Sequence, residues 1–186
     1  NKDISHWDVS SVTDMSSMFA ASNLENAHAF NGDISHWDVS SVTNMEIMFQ
    51  NAGSFNGDIS GWDVSNVTNM KSMFFAAFAF NQDISGWDVS SVTNMDSMFS
   101  GFFGTLTSFN QDISNWCVVN IASKPSSFDR DSKLSEDQLP VWGTCPPLIV
   151  NSLLTPADAA TGVDPTPEFK WQQAEKATAY DLRWAD

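Results

Sequence analysis

A long motif that returns along the chain constrains its fold more than any other feature. The pattern D-I-S-x-W-D-V-S-x-V-T-x-M-x-x-M-F occurs in four units, and a fifth carries a degraded form. The units begin at Asn1, Asn31, Asn56, Asn81 and Asn110, and their tryptophans are Trp7, Trp37, Trp62, Trp87 and Trp116. The tryptophan spacings are 30, 25, 25 and 29, so the basic period is 25 residues. A unit of this size cannot hide an apolar face alone. Copies must stack, each burying its neighbour, so that stability becomes a sum over nearest-neighbour interfaces.

Two periodicities run within each unit. Trp62 and Val64 alternate with Asp63 and Ser65, the mark of a short strand with one face inward. Val67, Met70, Met73, Phe74 and Ala77 then fall at helical spacing, which predicts a short helix with one apolar stripe, with Ser65 or Thr68 as its N-cap. The expected fold class is therefore an α/β solenoid of strand–short-helix repeats, similar to leucine-rich repeats. Ser16, Glu46, Lys71 and Asp96 share one variable position, as an outward-facing place predicts. The longer units add their extra residues at one point, within Ala20 to Phe30 and within Ser100 to Phe109. A shared insertion point implies a surface loop on one edge of the stack.

The fifth unit departs from the motif. The Asp after Trp116 becomes Cys117, the two Met positions align with Lys124 and Ser127, and Phe128 is retained. Polar residues in place of Met blunt an end that would otherwise invite association, so 110–146 reads as a C-terminal cap on a repeat domain of 1–146. Cys117 and Cys145 are the only cysteines. A disulfide between them would close the cap by about 3–4 kcal/mol and fits an oxidising compartment. The alternative is two buried thiols. A zinc site is disfavoured because His6, His28 and His36 all lie far from the cap in sequence, and structural zinc takes four ligands. After Pro146-Pro147 the texture changes. Phe169 and Trp171, then Tyr180, Leu182 and Trp184, alternate with polar residues, which predicts strands of an incomplete β-sandwich over 147–186.

The repeat resembles the BspA-like surface-protein repeats, also classed as a domain of unknown function common in mycoplasma lipoproteins and other bacterial surface proteins. The matching residues are N-x-D-I-S-x-W-D-V-S-x-V-T-N-M-x-x-M-F at Asn56 to Phe74 and Asn81 to Phe99. W-C-V-x-N-I at Trp116 to Ile121 and P-x-W-G-T-C-P at Pro140 to Pro146 are similar to that family's ending. The tail is similar to the opening of a fibronectin type III module through P-x-F-x-W and A-T-A-Y-D-L. The resemblance implies surface display and, where a role is assigned, adhesion. It carries no catalytic residue to this chain.

Charge narrows the partners. There are 23 Asp and Glu against 8 Lys and Arg, a net charge of −15. Such a surface repels nucleic acid and anionic membranes, and no apolar run reaches the ~20 residues of a membrane span. Catalysis needs groups that differ from their neighbours, and a repeat supplies the same group again and again. The expectation is a non-catalytic chain, secreted or on a cell surface, with no cofactor. Asp8, Asp38, Asp63 and Asp88 form one acidic ladder and Asp3, Asp33, Asp58, Asp83 and Asp112 a second. Each Asp can accept the amides of its own turn; the sharper alternative is calcium held between units. Candidate binding residues lie in the insertions: Asn23, Leu24, Glu25 and His28 in the first, Phe102, Phe103 and Leu106 in the fourth. Asn66 is a candidate glycosylation site. Expected partners are a protein or glycan on another surface, or, in the alternative of a filament or surface layer, copies of the chain itself.

Overall fold

The structure is a computed structural model and describes residues 3–22 and 30–147. The chain divides into two segments at Pro146 and Pro147. The tail strands and the fibronectin-like module fall on 148–186, outside the described residues.

Each unit is a chain of tight turns. In the third, Trp62 N–H donates to Ile59 O, Val67 to Val64, Met73 to Met70, Ala77 to Phe74 and Phe80 to Ala77, at 2.9–3.2 Å. Every one of these residues is buried. The two ends of a β-turn lie close together, so apolar residues three apart mark the corners of successive turns that face one core. This corrects the expected α/β solenoid of strands and short helices. Among the described residues there is no α-helix, strand or sandwich, and the one regular element is a 3₁₀ helix at Glu136–Gln138. The i, i+3 spacing of apolar residues that suggests a helix is shared by successive β-turns. A helix is also barred locally. Ser17, Ile47, Ser72, Ser97 and Ser127 hold φ of 58°, 65°, 53°, 57° and 52°, a left-handed backbone that a right-handed helix cannot include. The N-cap roles fall with it: Ser65 donates to Asp63, and Thr68 Oγ1 donates to Thr43 O.

Neighbouring units are joined backbone to backbone. Met45, Ile47, Phe49 and Asn51 donate to the carbonyls of Asn69, Lys71, Met73 and Phe75 at 2.8–2.9 Å. Alternate residues thus pair as parallel strands do, yet the left-handed residues keep any extended run from forming. Only isolated parallel bridges remain, along Asp14, Asn44, Asn69 and Asn94. Side chains repeat the same logic. Each indole N–H from Trp37 to Trp116 donates to the Ile carbonyl of the preceding unit, at 3.1–3.2 Å. A Phe would fill that volume but leave the buried carbonyl without its donor. Phe49, Phe74 and Phe99 form one column of near-parallel rings, and Phe55, Phe80 and Phe109 a second. The two columns press together at 4.0 Å, in the offset stacking that aromatic quadrupoles favour.

The fifth unit is out of register with its sequence alignment. Phe128 N–H donates to Pro125 O as Met98 N–H donates to Met95 O, and Ser127 takes the left-handed place of Ser97. Pro125 and Phe128 therefore occupy the two Met positions, one residue later than the alignment of Lys124 and Ser127 suggests. Phe128 consequently meets Phe99 edge-on, at 89°, and ends the column. Lys124 turns outward to Asp129 and Glu136. Burial disfavours its charge, but these two hydrogen bonds outweigh that and raise its pKa. Leu139 is buried and Trp142 packs against Phe128. Cys117 and Cys145 form a disulfide that fastens this segment to the unit.

Candidate recognition site

The insertion in the fourth unit is built as a miniature hairpin. Phe102 and Thr105 exchange backbone hydrogen bonds, and the two residues between them are left-handed, Phe103 at φ 46° and Gly104 at φ 78°. That is the pattern of a type I′ turn, which favours Asn-Gly or Gly-Gly. Gly104 suits it; Phe103 does not, because a bulky side chain is strained there. Phe103 is nonetheless 88% exposed and Leu106 53% exposed. Apart from its ring contact with Phe102, Phe103 is open to solvent.

The hairpin is held firmly at its base. Gly101 N–H donates to Arg130 O at 2.6 Å, and a Cβ on Gly101 would collide with the carbonyls of Asp131 and Thr105. The buried Thr107 donates its amide to Asp131 O and its hydroxyl to Phe99 O. Asp131 Oδ2 accepts the Gly104 amide at 3.2 Å. Phe75 meets Phe102 edge-on at 5.9 Å, and Phe102 lies 4.3 Å from Phe103. Beside the hairpin is a cavity of about 200 Å³, whose lining includes Phe75, Phe102, Phe103, Ser127, Arg130 and Asp131. The Arg130 guanidinium is 70% exposed, with its Nε 3.9 Å from Asp131 Oδ2.

The sequence-derived candidates divide accordingly. Phe102 and Phe103 meet at this cavity, and Leu106 is exposed on the same insertion. Arg130 and Asp131 were not singled out, because they belong to the next unit; stacking brings them opposite Gly101. Asn23, Leu24, Glu25 and His28 lie outside the described residues. The aspartates act locally. Asp8, Asp38, Asp63 and Asp88 each accept the amide of the Ser two residues on. Hydrogen bonds from Ser10 and Ser40, hydroxyl first and then amide, hold the Asp8 and Asp38 carboxyls below their ordinary pKa. Among the described residues no group of three or more His, Cys, Asp or Glu is placed to hold a metal ion. His6 and His36 are exposed. Asn66 uses its amide nitrogen to donate to Ser40 O at 2.8 Å, a bond that a glycan on that nitrogen would disturb.

Among curated proteins and solved structures, none matches the chain. The family model described as "Mycoplasma protein of unknown function, DUF285" matches residues 1–103 and again residues 22–142. Overlapping matches are what a tandem repeat produces, since the model can be laid on it in more than one register. Together they cover the stack through the cap, and the chain belongs to the DUF285 family.

Proposed function

We propose that this chain is a non-catalytic recognition module, displayed outside the cell, that adheres to a protein or glycan on another surface through the fourth-unit hairpin. The observation that carries this is Phe103, a strained and exposed aromatic at the tip of a hairpin anchored to a closely packed stack. Rigid framework and projecting loop are the usual division of labour in binding proteins. The disulfide, which suits an oxidising compartment, and the resemblance to BspA-like surface proteins support the same reading. The test is retention of the purified chain on immobilised glycoprotein and on cell monolayers, compared with Phe103→Ala. Retention that falls several-fold in the variant supports the proposal; equal retention, or none for either chain, contradicts it.

The alternative is a structural subunit of an extracellular filament or surface layer, assembled from copies of the chain. Sedimentation velocity across a concentration series separates the two readings. Species that grow with concentration favour assembly, and a constant monomer favours recognition.

A further inference from the structure

The walls of the hairpin cavity point to a class of ligand; this step rests on the recognition reading above. We propose that the site takes a single neutral hexose ring of a glycan, its C–H face stacked on Phe103 and its hydroxyls turned toward Arg130, Asp131 and Ser127.

Size comes first. At about 200 Å³ the cavity lies below the roughly 300–1,000 Å³ of pockets that enclose drug-sized ligands. It has room for one ring and for little else. The character of the walls comes second. The lining combines three Phe residues with the charged Arg130 and Asp131 and with Ser97, Ser100 and Ser127. A purely apolar guest, such as a lipid tail or a Leu side chain, would strip water from Arg130 and Asp131 and return no hydrogen bond, which is costly. A hexose is amphipathic in the matching sense, with an apolar face of C–H bonds and a rim of hydroxyls. Each hydroxyl both donates and accepts. Adjacent hydroxyls can therefore donate to the Asp131 carboxylate and accept from the Arg130 guanidinium, which stand side by side.

Charge excludes the acidic sugars. Arg130 and Asp131 nearly cancel locally, and the chain as a whole carries −15, so a uronic or sialic acid approaches against the field. The strain also acquires a reason. At the tip of a type I′ turn a Gly or Asn would be more comfortable, but neither offers a ring. Phe103, exposed and lining the cavity, offers a flat apolar surface at the expense of backbone comfort.

The experiment is NMR titration of the isotopically labelled chain with methyl glucoside, methyl galactoside, methyl mannoside and N-acetylglucosamine, with glucuronate as the acidic control. The expected result is saturable shifts for at least one neutral sugar, confined to residues 97–107 and 127–131. Affinity should fall about tenfold, the scale of one lost aromatic contact, in Phe103→Gly and be retained in Phe103→Tyr. Phe103→Gly relieves the turn, so its loss of binding cannot be ascribed to misfolding. Saturation by glucuronate alone overturns the neutral-sugar assignment. So does the absence of saturable shifts with every sugar. In that last case, a chain still retained on glycoprotein through Phe103 leaves the recognition reading standing with another ligand. A chain that is not retained removes both.

Discussion

At the residue scale, the repeated left-handed position shows how little freedom the unit leaves. Ser fills it in the first, third, fourth and fifth units, but the second has Ile47 at φ 65°. A β-branched residue is a genuine outlier there, and Asn tolerates the region far better. Ile47→Asn should therefore raise stability, by about 1 kcal/mol, the lower end of the cost of such strain. Chemical denaturation measures it, and a lowered midpoint would show that the partly buried Ile side chain contributes more than its backbone costs. Ile47 is partly buried within its unit. Phe103 differs: it is equally misplaced by conformation, but it is exposed and borders a cavity, which is why the proposed recognition role is placed there.

At the scale of the element, the recurring device is an Asp followed two residues later by a Ser. Asp3, Asp33, Asp58, Asp83 and Asp112 each accept a Ser amide at 3.0 Å. Hydroxyl and amide hydrogen bonds hold all five carboxyls below their ordinary pKa, and for Asp33 and Asp58 they outweigh repulsion from the Asp of the preceding unit. A carboxyl with a depressed folded-state pKa contributes stability above its unfolded value and loses it as pH falls through the folded one. The thermal midpoint should accordingly hold steady from neutral pH down to roughly pH 5 and fall below about pH 4. A midpoint that rose on acidification would mean that relief of the −15 net charge outweighs the turn hydrogen bonds. These turns also show what the sequence could convey. Unit boundaries and insertion points were legible because identity at a fixed period needs no conformational assumption. The local conformation was not, because residues three apart share a face in a helix and share a corner in successive β-turns. Only the left-handed Ser positions distinguish the two, and Ser carries no strong mark of that backbone. Arg130 and Asp131 were hidden for another reason: they reach the hairpin from 27 residues away, from Asp131 to Gly104, across an interface whose register slips by one residue at Pro125.

At the scale of the whole described stack, order is passed from unit to unit, and among the described residues the 134–147 segment packs on the last unit. The Cys117–Cys145 bond closes a loop with a sequence separation of 28, for which the loop-entropy estimate is about 3.5 kcal/mol. Replacing both cysteines with Ser should lower stability by roughly that amount. It should also raise amide exchange first in the fifth unit, since nearest-neighbour stacks fray from their ends. Uniform exchange along the stack would show that the units unfold as one. The fifth unit also supplies Arg130 and Asp131, so fastening it holds these two residues at the cavity beside the hairpin. On the proposed reading, Phe103 is kept for binding at the expense of folding. The most direct test measures the thermal midpoint of Phe103→Gly together with its retention on immobilised glycoprotein. A higher midpoint and weaker retention are expected in the same variant. A lower midpoint, or retention equal to that of the unaltered chain, would contradict that reading.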